Sequence, residues 1–195
     1  MHVVLMTAVV IAAVLLFVRR RASLGPKKVV IRNPTLGFLN LLGDDGQRWL
    51  AEDKGSFGAL FASVEERAAE PPSCDVLFLY CSINDNGSIH GTPSSLREII
   101  HQARAPIVVV ASPNTVEAYT AAGKKSNFGA ANLVMTLERS SGSFGRFFQA
   151  LFKDMQAGTP MPVAWVRLAP QGPRGGGQDT PGAIFACELG QVAFK

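Results

Sequence analysis

Residues 75–83, DVLFLYCSI, form an almost unbroken apolar run rich in β-forming side chains. Successive side chains of a strand point to opposite faces, so such a run is stable only where helices cover both faces, as in a parallel sheet. It predicts a central strand of an α/β fold. Residues 106–110 (PIVVV) repeat the pattern, and residues 132–137 (NLVMTL) supply a third strand. Between the first two, a polar loop over residues 84–91 leads through Thr92-Pro93-Ser94-Ser95 into LREII, where Ser94 or Ser95 serves as the N-cap of a helix.

Downstream, Phe144, Phe147, Phe148, Leu151, Phe152 and Met155 recur at one-face helical spacing, and Gly158 ends that helix. Residues 161–168 read as a short helix with Pro160 and Pro162 near its first turn, residues 170–182 as a Gly/Pro-rich loop, and residues 183–189 as the last strand. Upstream, residues 28–32 read as the first strand, ending at Asn33-Pro34, and Gly43-Asp44-Asp45-Gly46 reads as a loop. Trp49, Leu50, Phe57, Leu60, Phe61 and Val64 suggest a helical face, with residues 56–69 the better helix before Pro71-Pro72. Alternating strands and helices predict a three-layer α/β domain with a mainly parallel sheet.

Residues 1–18 carry no formally charged side chain, and Arg19, Arg20 and Arg21 follow at once. A helix of that length spans about 27 Å, close to a hydrocarbon core of about 30 Å. A secretory signal would place its charge before the apolar run and a small-residue cleavage site after it, and the order here is the reverse. The expectation is a single transmembrane anchor over residues 1–21, a linker over 22–28 and a domain over 29–195. The basic cluster keeps that domain on the cytoplasmic side of the cell membrane. Five of the nineteen Lys and Arg belong to this cluster (Arg19, Arg20, Arg21, Lys27 and Lys28), so 14 basic residues face 15 acidic ones in the rest. A near-neutral domain gives nucleic acid no electrostatic footprint.

Cys74, Cys81 and Cys187 are odd in number and lie in or beside apolar runs, as free core thiols do. His2, His90 and His101 show no zinc-ligand spacing, so neither a metal nor a cofactor is expected. Residues 172–177, with Arg174, lack the Lys-Ser/Thr of a phosphate loop. The turn Gly123-Lys124-Lys125-Ser126 lacks its preceding glycine.

In the order and character of its elements, the chain from residue 75 to 195 resembles a CHAT domain, a caspase-like cysteine peptidase family of clan CD. CDVLFLYCS is similar to the strand that ends in the family's His-Gly, APIVVVASPNT to the strand ending in Ala-Cys-Glu, and PGAIFACELGQ to its terminal strand. The resemblance implies a three-layer caspase-like fold. It puts the catalytic histidine at Ser82 and the nucleophilic cysteine at Pro113. A thiolate–imidazole pair is what such a peptidase requires, so the resemblance implies a pseudopeptidase that binds a protein partner, in the setting of bacterial signalling or defence.

Two rival readings stand beside it. One is an active hydrolase with a rearranged site built from Cys81, Asp85 and His90. The other is a nucleotide-sensing domain that holds phosphate at a helix N-terminus, at Ser94-Ser95 or Gly142-Ser143.

Overall fold

The computed structural model describes residues 27–124, 128–140, 142–169 and 181–195. The elements run β1 (Lys28–Ile31), β2 (Thr35–Asn40), α1 (Asp44–Phe57), β3 (Ser63–Arg67), β4 (Val76–Tyr80), α2 (Leu96–Ala103) and β5 (Ile107–Val110). They continue with α3 (Val116–Gly123), β6 (Asn132–Glu138), α4 (Ser143–Gln156), α5 (Met161–Leu168), β7 (Gly182–Cys187) and β8 (Gln191–Phe194). The main sheet has the order β3-β2-β4-β5-β6-β7. Its first five strands are parallel and β7 is antiparallel.

Every residue of β4 and β5 is buried, which is why both read as continuous apolar runs. Alternation sorts their side chains into two cores. Val76, Phe78, Tyr80, Ile107 and Val109 pack against α1, α4 and α5, and Leu77, Leu79, Val108 and Val110 pack against α2 and α3. The first core is largely aromatic: Phe78 meets Phe57, Phe148 and Phe152 with ring centroids 4.9, 5.1 and 6.1 Å apart. Helices therefore cover both faces, giving the three-layer α/β domain with a mainly parallel sheet.

Several local expectations need correction. Residues 28–32 do form a strand, but β1 pairs in parallel with β8 as a separate two-stranded ribbon. The ribbon passes beneath the amino ends of the parallel strands. Lys27 and Val29 share a groove with Pro106 and Ala131, and Phe194 and Lys195 share one with Pro34 and Phe61. β2 and α3 were not anticipated. The expected helix over 56–69 does not form: α1 ends at Phe57, a 3-10 turn covers Gly58–Leu60, and β3 follows. The apolar spacing that suggested one helix is divided among α1 (Trp49, Leu50, Phe57), the turn and its exit (Leu60, Phe61) and β3 (Val64). β3, SVEER, lies at the open edge of the sheet, where charged side chains are tolerated and discourage pairing with other chains. β7 occupies the place expected of the last strand, yet β8 follows it.

The proposed anchor over residues 1–21, most of the linker, residues 170–180 of the Gly/Pro-rich loop, and Lys125 and Ser126 lie outside the described residues. Among the described residues no helix is long and apolar enough to cross a membrane.

Candidate functional site

From β2 the chain crosses to β3 on one side and then to β4 on the other, so the direction of winding reverses between β2 and β4. In open α/β sheets, ligands bind in the crevice outside the carboxyl ends of the strands at such a reversal. A cleft of about 490 Å³ lies there. The start of α1 supplies Asp44, Asp45, Arg48 and Trp49, the tip of β4 supplies Cys81 and Ser82, and the tip of β5 supplies Ser112 and Pro113.

Ser82 and Pro113, the positions the family resemblance assigns to the catalytic pair, are both exposed and share this cleft on adjacent strand tips. The tips are stapled together beyond the end of the regular ladder. The buried Ser112 hydroxyl accepts from Cys81 N at 2.9 Å and donates to Cys81 O. Asn114 Oδ1 accepts from Ile83 N at 2.7 Å, while its Nδ2 donates to Cys81 O at 3.2 Å. These side chains substitute for the backbone partners that diverging strands lose.

Cys81 is fully buried, and burial pushes its thiol up to about 12. His90 lies on the loop after β4, which folds back so that His90 N donates to Ser82 O at 2.8 Å. Its exposed side chain instead lines a neighbouring hollow of about 400 Å³, with Asn40, Gln47 and Thr92. Asp85 is exposed on the same loop. The structure therefore brings Cys81 to the floor of the cleft and leaves His90 beside it in a different hollow. Among the described residues, no group of three His, Cys, Asp or Glu side chains is placed to hold a metal ion.

The N-termini of α2 and α4 already have carboxylate partners, and α1 carries two acidic residues in its first turn. In α2, Ser95 N donates to Glu98 Oε2 at 2.7 Å and Glu98 N donates to Ser95 Oγ, a complete capping box. The Ser95 N–H and hydroxyl, both donating to Glu98 Oε2, hold that carboxyl below its ordinary range. At α4, Gly142 N donates to Glu52 Oε1. At α1, Asp44 and Asp45 occupy the first turn. Carboxylates thus stand where a phosphate would seek N–H groups and the positive end of a helix dipole.

Behind the cleft lies a group that the sequence reading missed. Asp53, fully buried on α1, forms a two-pronged ion pair with Arg139: Nη2 to Oδ1 at 2.8 Å and Nη1 to Oδ2 at 3.1 Å. Tyr80 Oη donates to Asp53 Oδ2 at 2.7 Å. Arg139 also donates to Ala111 O at 3.2 Å, and its guanidinium lies 3.9 Å from the Phe144 ring centroid and 5.5 Å from that of Trp49. Burial raises the Asp53 carboxyl despite the guanidinium and phenol that favour its charge. The same burial, with the Asp53 charge, raises the Tyr80 phenol well above its ordinary value. Through Arg139 the pair connects to Trp49, one wall of the cleft. Its signal in the sequence was a single acid in the stripe Gly46, Leu50, Asp53, Phe57, all buried on one face of α1.

The chain matches no family model and no curated protein.

Proposed function

We propose that the chain is a membrane-tethered, non-catalytic caspase-like module that offers the cleft at the tips of β4 and β5 to a protein partner in the cytoplasm. The observation that carries this reading is the state of the two tips. Ser112 and Asn114 are committed to stapling them, the Cys81 thiol is sealed beneath them, and the His90 side chain faces another hollow. A thiol held neutral to about pH 12 is a poor nucleophile, because the thiolate is the reactive form. The caspase-like assignment is supported by the adjacency of Ser82 and Pro113 across neighbouring parallel strands, as the resemblance requires. The cleft suits a polypeptide segment: Trp49, Leu42 and Pro113 give apolar contact, and Asp44, Asp45 and Arg48 give charges of both signs.

The nucleotide reading draws no support from the helix N-termini it named, which are already met by Glu98 and Glu52. The setting in bacterial signalling or defence rests on the family resemblance.

The test pairs an activity with a capture. The full chain in detergent is expected to cleave a fluorogenic peptide library no faster than its Cys81→Ala and His90→Ala variants do. A photo-crosslinking residue in place of Pro113 is expected to capture a protein from native membranes, with the same residue in place of Lys153 as control. Peptide hydrolysis abolished by either substitution overturns the reading in favour of a rearranged hydrolase.

A further inference from the structure

We infer that the face at the amino ends of the parallel strands rests on an anionic lipid bilayer, so that the recognition cleft at the opposite end points away from the membrane. The inference rests on the anchor reading of residues 1–21 and adds to it the side by which the domain docks. The described chain begins at Lys27, whose carbonyl accepts from Gln191 N at 2.9 Å and whose side chain lines the groove beneath β5 and β6. Five residues, 22–26, lie between Arg21 and Lys27, which makes six backbone steps. Fully extended, they reach at most about 20 Å. With Arg19–Arg21 at the headgroup level, a tether this short keeps the face that holds Lys27 next to the bilayer.

The chemistry of the face agrees. Lys27, Lys28 and Arg104 are exposed there, and none of them takes part in an ion pair among the described residues. The nearby carboxylates are engaged: Glu188 accepts from Phe128 N and Gly129 N at 3.0 and 2.9 Å, and Asp75 accepts from Thr35 N and Oγ1. Two large apolar side chains, Val30 on the ribbon and Leu189 in the groove, are 47% and 49% exposed at this end. Unpaired cations flanking exposed apolar groups beside a tether make a surface for anionic headgroups.

The test uses the full chain, in a Cys187→Ser background, with one fluorophore at Leu189→Cys or at Asp45→Cys, reconstituted into vesicles with acceptor-labelled headgroups. In vesicles containing phosphatidylglycerol, energy transfer is expected to be much stronger from 189 than from 45. In purely phosphatidylcholine vesicles the difference is expected to shrink. Lys27→Glu with Lys28→Glu and Arg104→Glu is expected to abolish it while the chain still floats with the vesicles, since three charges near an anionic surface favour docking by about a hundredfold. Floating chains with equal transfer from both positions overturn the docked face and leave the anchor standing. Equal contrast in both lipids overturns the anionic docking. Chains that do not float with either lipid overturn the anchor, and the face with it.

Discussion

Asp53 is a carboxylate inside an aromatic core, held by one guanidinium and one phenol. Asp53→Ala leaves the Arg139 charge buried without its counter-charge, and such a broken pair costs about 3–5 kcal/mol. Tyr80→Phe removes only a hydrogen bond to a charged acceptor, about 1.5–3 kcal/mol. Urea unfolding is expected to rank the two variants in that order, and equal losses would deny the pair its place in the core. A second residue-scale expectation concerns alkali. Burial pushes the Cys74 and Cys81 thiols up to about 12, and Tyr80 and Tyr119 are also raised. In the unfolded chain these thiols lose their protons near pH 9 while the folded chain keeps them, so stability falls as pH rises. The slope is about 1.4 kcal/mol per pH unit for each thiol between about pH 9 and 12. Unfolding midpoints measured from pH 8 to 11 should decline, and less steeply in a Cys74→Ala, Cys81→Ala variant. A midpoint that does not fall over that range would contradict the burial of these thiols.

At the scale of elements, the loop between β4 and α2 is fixed by one glycine. Gly87 adopts φ +84°, and a Cβ there would lie 2.5 Å from Ala122 N on α3. Gly87→Ala therefore combines left-handed strain with a backbone collision, and a loss of about 2 kcal/mol or more is expected by thermal unfolding. A neutral outcome would show that the loop does not dock on α3. Legibility followed the same physics. β4, β5 and β6 were readable because strands covered on both faces are apolar throughout. β2 is equally buried, but Gly37 interrupts its pattern, and a Cβ at that position would meet Cys74 Sγ and Pro72 Cγ at 2.6 Å. α1 was obscured by its acidic first turn, its two glycines and a buried stripe in which Asp53 takes an apolar place. Ser82 and Pro113, assigned by the family resemblance, follow strands whose endings the apolar runs made readable, and the two lie on adjacent tips. The Asp53–Arg139 pair joins residues 86 apart, and no local pattern encodes that contact.

At the scale of the molecule, the ribbon joins the two ends of the domain and closes the aromatic core from below. Phe194 meets Phe61 and Phe152 with ring centroids 6.1 Å from each. Phe194→Ala is expected to cost about 3–5 kcal/mol, as for any large core ring, and unfolding should remain a single transition. A change under 1 kcal/mol would mean that the ribbon is dispensable. The pairing also sets a timetable for biosynthesis. β1 leaves the ribosome among the first residues of the domain, yet its partner, Gln191–Phe194, is translated after every other strand. Until then, the nascent chain presents an unzipped edge and an unsealed phenylalanine cluster, so prematurely terminated copies carry a ready mark for chaperones and proteases.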